Sequence, residues 1–254
     1  MRRDLVLLHG WAMRPRVFSP VLPMLGDGRR VHNLSLPGYG CGEGICESGA
    51  QADPGGSGQA ILDRWSDECL AAAPAGGVWL GWSLGAMIAV NAALRAPGRI
   101  EALVLVSATP KFLREPSSWE AGAERPEMGD LLHAVRMGDR KALRRFVLLQ
   151  AGRRDNALAL GRVLTDCMVD PGAAARTLEA GLEVLGQVDL RARLRELDPP
   201  VLAIHGLDDR IVPVEAGAYI AGKVPRGDLV TLETGHAPFA TRPREFGAAV
   251  LSWI

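Results

Sequence analysis

Short aliphatic runs recur along the chain and alternate with segments of helical periodicity. The strand-like runs cover residues 5–8, 30–36, 78–81, 103–107, 201–204 and 229–232. They are mostly continuous rather than alternating, which is typical of strands buried on both faces of a parallel sheet. Helical patterns follow at 61–73, 84–95 and 214–223. This alternation predicts an α/β fold with right-handed crossovers and a mostly parallel sheet flanked by helices.

Residues 110–198 interrupt the alternation, because they contain no convincing strand. Helical patterns appear instead at 131–135, 142–149 and 178–185. We therefore predict a core formed by residues 1–109 and 199–254, with 110–198 inserted as a helical cap. A length of 254 residues with 48% hydrophobic content supports one such domain better than two independent ones.

Composition narrows the possible partners and the cellular location. The chain has 29 basic and 29 acidic residues, so no global field indicates nucleic acid. Its cysteines form no C-x-x-C pair or zinc-like cluster, and we expect reduced thiols, no metal and no cofactor. The N-terminal segment is too short for a signal sequence, and no apolar stretch approaches a membrane span. These features predict a cytoplasmic monomer that does not bind membranes.

A G-x-S-x-G motif follows the strand-like run at 78–81 and precedes a helical pattern. Its residues are Gly81-Trp82-Ser83-Leu84-Gly85. Between a strand and a helix this motif is typical of a nucleophile elbow, in which a strained turn exposes the serine hydroxyl. An ordinary glycine turn would give the same five residues, so the assignment depends on whether a base and an acid accompany Ser83.

Candidates for both partners follow later strands. His236 lies just past the strand-like run at 229–232, and Asp208 and Asp209 follow the run at 201–204. The order serine, aspartate, histidine is that of the α/β-hydrolase fold. We favour Asp209 as the acid, because its position three residues after Gly206 resembles that of the acid in known sequences with this fold, and Asp208 is the alternative. We interpret His9 and His205, which both end apolar runs, as structural histidines.

These residue types suit acyl transfer. A serine hydroxyl becomes a useful nucleophile only when a base takes its proton, and histidine does so near neutral pH. A buried carboxylate fixes the imidazole tautomer and stabilises its charged form. The oxyanion would be bound by the backbone N–H groups of Leu84 and of Trp11, which follows the first strand. The Trp11 indole either lines the acyl pocket or simply packs.

The cap carries a concentration of positive charge. Between residues 133 and 154, Asp139 is the single acid, and the bases are Arg136, Arg140, Lys141, Arg144, Arg145, Arg153 and Arg154. Spacings of four residues place several of them in rows on a helix. In a neutral chain this pattern indicates an acidic macromolecular partner, although a solvated helix face without a partner would look the same.

Five segments together resemble the pimeloyl-[acyl-carrier protein] methyl ester esterase family of biotin synthesis. They are His9-Gly10-Trp11, Gly81-Trp82-Ser83-Leu84-Gly85, Phe146-Val147-Leu148-Leu149-Gln150, Val188-Asp189-Leu190-Arg191 and Gly235-His236-Ala237-Pro238-Phe239. The triad segments are shared across α/β hydrolases, whereas Trp82 and the block from Phe146 to Gln150 are more specific. The chain has only four residues before its first strand, where family members usually have an additional antiparallel strand.

The resemblance implies a serine carboxylesterase that releases methanol and pimeloyl-[acyl-carrier protein]. Matching residues implies that Ser83, Asp209 and His236 are catalytic and that Trp11 and Leu84 line the oxyanion site. It also implies an acyl-chain contact for Phe146, Val147, Leu148, Leu149 and Gln150, and carrier-protein docking for Lys141, Arg145, Arg153 and Arg154. The alternatives are a broad-specificity carboxylesterase for free short-chain esters and a noncatalytic binding protein on the same fold.

Overall fold

Six parallel strands form one sheet in the computed structural model, which describes residues 3–40, 56–151 and 157–254. The order across the sheet is β2-β1-β3-β4-β5-β6, and each neighbouring pair is parallel. The strands are β1 (Leu5–Leu8), β2 (Val31–Leu34), β3 (Val78–Trp82), β4 (Ala102–Val106), β5 (Val201–Gly206) and β6 (Gly227–Leu232). The predicted α/β fold with a parallel sheet is confirmed.

The two outer strands of this sheet differ from the four inner ones. Every residue of β1, β3, β4 and β5 is buried, as their continuous aliphatic sequences predict. In β2 only Leu34 is fully buried, and in β6 no residue is. Burial on both faces was therefore a wrong prediction for β2 and β6, because a strand at the sheet edge is covered by fewer neighbours.

Helices occupy the connections between the strands, and two more follow the last strand. They are α1 (Leu22–Leu25), α2 (Gly58–Ala72), α3 (Leu84–Arg95), α4 (Arg125–Arg136), α5 (Arg140–Leu149), α6 (Ala157–Asp166), α7 (Ala175–Gln187), α8 (Val214–Lys223), α9 (Pro238–Thr241) and α10 (Pro243–Trp253), with 3-10 helices at Pro15–Phe18 and Arg191–Glu196. The predicted bounds of α3 and α8 are confirmed. Helix α2 begins three residues earlier than predicted, because the Ser57 hydroxyl caps it by accepting from the Ala60 N–H.

Four helices, α4 to α7, lie between β4 and β5, where the sequence lacks strand-like runs. Helix α5 begins where the Asp139 carboxylate accepts hydrogen bonds from the N–H groups of Lys141 and Ala142. Its Leu143 and Val147 side chains are buried. Helix α7 packs against α2 and α4, and α5 packs against α4 and α6. The treatment of 110–198 as a separate cap unit stays a prediction.

The parallel arrangement gathers the ends of several strands at one edge. Because all six strands run in the same direction, the segments following β1, β3, β5 and β6 meet at their carboxyl ends, which is where open α/β sheets bind ligands. These segments contain Trp11, Ser83, Asp209 and His236. Within the three described ranges, no helix is long and apolar enough to cross a membrane.

Candidate active site

Ser83 occupies a sharp turn between β3 and α3. Its backbone has φ 55° and ψ −117°, a strained conformation for a residue with a side chain. The turn is tight: a Cβ on Gly81 would lie 2.4 Å from the Gly85 carbonyl oxygen, and one on Gly85 would lie 2.3 Å from that of Leu8. Glycine at both positions therefore allows the strand, turn and helix to approach one another, as in a nucleophile elbow.

The Asp209 carboxylate is buried in the loop after β5, and both of its oxygens have hydrogen-bond partners. Its Oδ1 accepts hydrogen bonds of 2.9 Å from the N–H groups of both Ile211 and Val212, and its Oδ2 lies 2.8 Å from His236 Nδ1. Burial by itself would raise the pKa of Asp209. The charge of His236 and hydrogen bonds from neighbouring histidines outweigh it and hold the pKa of Asp209 well below its ordinary value.

The His236 loop is anchored on both sides. Its N–H donates to the Gln150 carbonyl at 3.0 Å, and its carbonyl accepts from the Trp82 indole Nε1 at 2.8 Å. The ring centroids of His236 and Trp82, the residue next to Ser83, are 5.7 Å apart. Of the two candidate acids, Asp209 contacts His236, whereas the backbone N–H of Asp208 donates to the Thr234 carbonyl.

A narrow apolar pocket opens beside Ser83. It is walled mainly by side chains from the β1 loop, the segment after β4, and the helices α4, α5 and α7, namely Trp11, Phe112, Leu131, Phe146, Leu182 and Leu185. Apart from Ser83, Gln150 is the polar member of the lining, and its buried Oε1 atom has no hydrogen-bond partner among the described residues. The cavity volume of about 10 Å³ accommodates about one water molecule. An acyl chain would therefore require the helical walls to move apart.

The Trp11 indole connects the pocket to the inserted helices. Its ring makes an edge-to-face contact with Phe146 at 5.4 Å, and its Nε1 donates to the Leu178 carbonyl on α7 at 2.9 Å. The indole thus belongs to the pocket wall as well as to the packing. The Leu84 N–H lies at the first position of α3, where helix geometry leaves N–H groups without intrahelical partners. The oxyanion roles of both backbone N–H groups stay predictions.

Comparison with known proteins places the chain in a family. Residues 5–249 match the model of the alpha/beta hydrolase family. Proteins named pimeloyl-[acyl-carrier protein] methyl ester esterase are 34% identical in Nitrosomonas europaea, with 96% of this chain and 92% of that protein covered, and 35% identical in Aromatoleum aromaticum, with 96% and 95% covered. The chain belongs to the pimeloyl-[acyl-carrier protein] methyl ester esterase family.

Solved structures support the fold assignment. An esterase from Exiguobacterium antarcticum superposes with a TM-score of 0.81 at 19% identity, covering 99% of this chain and 91% of that one. A bromoperoxidase from Bacillus anthracis gives 0.81 at 21% identity, covering 100% and 92%. At such low identity these likenesses show the α/β-hydrolase fold alone, since the fold hosts many chemistries.

The residues that the family resemblance assigns to the acyl chain separate in the structure. Phe146 and Gln150 line the pocket. Val147 is fully buried in the core, while Leu148 and Leu149 are each 41% exposed and are not among the pocket-lining residues. One α-helix turn presents residues to all sides, so five consecutive residues cannot share one face.

The structure describes two of the four residues that are predicted to dock a carrier protein. Lys141 and Arg145 lie exposed on the outer side of α5. Arg153 and Arg154 lie outside the described residues, as do Cys41 and Cys46. Docking stays a prediction for all four basic residues.

Sequence reasoning missed several pocket residues. Leu182 and Leu185 on α7 are spaced by three, a helical signal for one shared face that would have found them. Phe112 lies in a connecting segment and gave no such signal.

Sequence reasoning also missed a contact of the candidate acid. His205, interpreted as structural, has its Nε2 3.3 Å from Asp209 Oδ2. Its spacing of four residues from Asp209 was the available clue.

Proposed function

We propose that the chain is a serine carboxylesterase that hydrolyses the methyl ester of pimeloyl-[acyl-carrier protein] in biotin synthesis. The observation that carries this proposal is the 2.8 Å contact between Asp209 and His236 at the carboxyl ends of the strands, where Ser83 follows β3. A second support is the 34% identity with an esterase of that name over nearly the full chain. The products would be methanol and pimeloyl-[acyl-carrier protein].

The reaction would proceed through an acyl-enzyme. Ser83 Oγ attacks the ester carbonyl carbon while His236 Nε2 accepts the hydroxyl proton, and Asp209 holds the imidazole with Nδ1 protonated. The backbone N–H groups of Leu84 and Trp11 stabilise the oxyanion. His236 then returns the proton to the departing methoxide. Water, activated by the same histidine, releases the carboxylic acid and regenerates Ser83.

The pocket suits the methylene chain of a pimeloyl group. Its walls are the aromatic rings of Trp11, Phe112 and Phe146 and the leucines of α4 and α7, which offer no charge to the chain. Binding there would remove apolar surface from water and place the distal ester near Ser83. Because helices α4, α5 and α7 contribute Leu131, Phe146, Leu182 and Leu185 to the walls, their position would set the acyl length accepted.

The outer side of α5 suits an acidic carrier. Four bases and two leucines are exposed there, namely Arg140, Lys141, Arg144, Arg145, Leu148 and Leu149. Arg140 pairs with Asp170 at 3.0 Å. A basic rim beside exposed apolar side chains is the arrangement that docks an acidic protein with an apolar contact patch. The same α5 helix sends Phe146 into the pocket, so docking and acyl binding would share one element.

The narrow pocket favours a second candidate, a broad carboxylesterase for short free esters. A cavity of about 10 Å³ would adapt to a small ester with less movement than to a carrier-bound chain. The two candidates share the triad and differ in whether the carrier protein contributes to binding.

Methanol release from methyl pimeloyl-[acyl-carrier protein] and from free methyl pimelate separates them. We expect a kcat/KM at least about tenfold higher for the carrier-bound ester at low salt, falling at high salt because the docking charges are screened. Ser83→Ala should abolish turnover of both esters. Equal, salt-insensitive turnover of both would favour the short-ester candidate and contradict a role for the carrier protein in binding.

Charge reversal tests the docking surface separately. Lys141→Glu with Arg145→Glu should lower kcat/KM for the carrier-bound ester about tenfold and leave that for free methyl pimelate unchanged. Arg242→Glu with Arg244→Glu is the matched control, since it reverses two exposed charges at the start of α10, which packs mainly against α1, α9 and β6. An equal effect of both variants would refute docking through α5.

A further inference from the structure

A second histidine contacts the acid of the candidate triad. His205 lies near the end of β5 and is completely buried. Its Nε2 is 2.9 Å from the Val212 carbonyl oxygen and 3.3 Å from Asp209 Oδ2. The acid therefore has one histidine on each side, His236 at 2.8 Å and His205 at 3.3 Å from the same oxygen.

The surroundings of His205 determine which ring nitrogen carries the proton. The Val212 carbonyl can only accept a hydrogen bond, so Nε2 must be the donor. Within the part of the chain that the structure describes, Nδ1 is buried without a hydrogen-bond partner. Helix α8 closes over it, because a Cβ on Gly217 would lie 2.5 Å from Nδ1. A proton on Nδ1 would have no acceptor there. The geometry thus favours the neutral tautomer with hydrogen on Nε2.

With that tautomer, both oxygens of the Asp209 carboxylate are surrounded by N–H groups. Oδ1 accepts from the N–H groups of Ile211 and Val212, Oδ2 lies 2.8 Å from His236 Nδ1, and His205 Nε2, which donates to Val212, lies 3.3 Å from Oδ2. The three hydrogen bonds and the nearby Nε2–H of His205 restrict the rotation of the carboxylate. A carboxylate held in this way is a poor proton acceptor.

We infer that His205 is a positioning residue for the acid–base pair. Its Nε2–H holds Asp209 Oδ2 opposite His236 Nδ1, and through Val212 it also holds the loop that supplies the two backbone donors. The inference rests on the proposed function, because it assigns His205 a role in the reaction of Ser83. His205 acts through Asp209 and does not itself touch the ester.

Two substitutions separate the hydrogen bond from the shape of the ring. His205→Phe retains an aromatic ring without a donor, and His205→Gln retains an N–H at about the position of Nε2. We expect His205→Phe to lower kcat about 10- to 100-fold, the range for losing a hydrogen bond to a charged group, with KM within about twofold. His205→Gln should recover most of that loss.

Ser66→Ala is the control for losing a buried hydrogen bond elsewhere. Ser66 on α2 is completely buried and donates to the Leu62 carbonyl at 2.7 Å. It should lower the melting temperature without changing kcat. If His205→Phe lowers only the melting temperature, as Ser66→Ala does, His205 has no positioning role.

The first of two NMR measurements keeps the inference testable even if His205→Phe does not fold, and the second applies when it folds. In the unsubstituted protein, nitrogen-15 shifts should show His205 protonated at Nε2 and unprotonated at Nδ1, and the reverse would overturn the inference. The low-field proton of the His236 Nδ1–H···Asp209 bond should keep its position in His205→Gln and shift or broaden in His205→Phe. A signal identical in all three proteins would also overturn it.

The outcomes distinguish this inference from the proposed function. Full activity in Ser83→Ala would overturn the function itself. Loss of activity in Ser83→Ala together with unchanged kcat in a folded His205→Phe would leave the function standing and remove the role of His205.

Discussion

At the scale of the residue, the charge and orientation of the Asp209 carboxylate depend on the backbone around it. This carboxylate is buried, a position that disfavours a charge, yet two loop N–H groups and His236 compensate for the lost water. Asp208, one residue earlier, has its backbone tied to Thr234 instead. The choice between two adjacent aspartates is therefore made by the turn after β5, which directs one side chain towards His236.

Exchange of each aspartate for asparagine should separate the two roles. In Asp209→Asn, an amide donor facing His236 would favour the wrong imidazole tautomer, and we expect kcat to fall by about 10⁴-fold, the size of this effect in a serine protease. Asp208→Asn should stay within about twofold. Steady-state hydrolysis of the methyl ester, with circular dichroism to verify folding, measures both. A larger loss in Asp208→Asn than in Asp209→Asn would reverse the assignment.

At the scale of elements, the elbow depends on three backbone segments meeting without side chains between them. Gly85, in the first turn of α3, faces the carbonyl oxygens of Leu8 and His9, which a Cβ would approach to 2.3 and 2.6 Å. Both atoms belong to the backbone and cannot rotate away. The junction of β1, β3 and α3 thus sets the distance between the loop after β1 and Ser83.

Gly85→Ala should destabilise the fold by about 2–3 kcal/mol or more, because the clash must be relieved by moving a strand or a helix. Gly222→Ala on α8 is the matched control, since a Cβ at that position would have nothing within 4 Å of it. It should be neutral or stabilising by up to about 1 kcal/mol. Urea unfolding of the two variants gives the comparison, and similar stabilities would contradict a tight junction at Gly85.

The elements differ in how far sequence alone predicts them. The inner strands and helices α3 and α8 were predictable because their hydrophobic patterns coincide with burial. The hydrophobic pattern gave no prediction of α6. It also predicted too much burial for the edge strands β2 and β6, because burial there depends on neighbours that the local sequence does not specify. The contact between Asp209 and His236 agrees with the motif order, and the catalytic roles of Ser83, Asp209 and His236 stay predictions. The His205 contact did not follow from the motif order, since it depends on how the loop at 207–213 folds back onto its own strand.

At the scale of the whole molecule, the formal net charge is zero, but the charges are unevenly distributed, with an excess of basic residues between 133 and 154. Long-range attraction of an acidic partner cannot come from net charge, so under the proposed docking it would come from the local surface of α5. Such an attraction acts within about a Debye length, roughly 10 Å at 0.1 M salt. It would guide the carrier onto the element that also walls the acyl pocket, which makes salt dependence specific to the carrier-bound ester.

The stability of the whole fold should depend on pH through His9. This histidine is completely buried, its Nδ1 lies 2.9 Å from the Gly10 carbonyl, and its Nε2 accepts from the Leu36 N–H at 3.0 Å. Burial lowers the pKa of His9 to about 4, only partly offset by the hydrogen bond to Gly10. Nε2 is already an acceptor, so protonating it would break the bond to Leu36.

Between pH 6.5 and 4 the unfolded chain therefore binds a proton at His9 that the folded protein does not. The free energy of unfolding should fall as the pH is lowered through this range, with His9 contributing about 3 kcal/mol. His9→Gln has an oxygen that accepts from Leu36 but no titrating group, so its stability should fall by about 3 kcal/mol less. Urea unfolding of both proteins at about pH 7 and about pH 4 measures this difference, because the other titrating groups are common to both. Parallel losses of stability would mean that His9 is not the group responsible, and that the loop leading to Trp11 tolerates a charged imidazole.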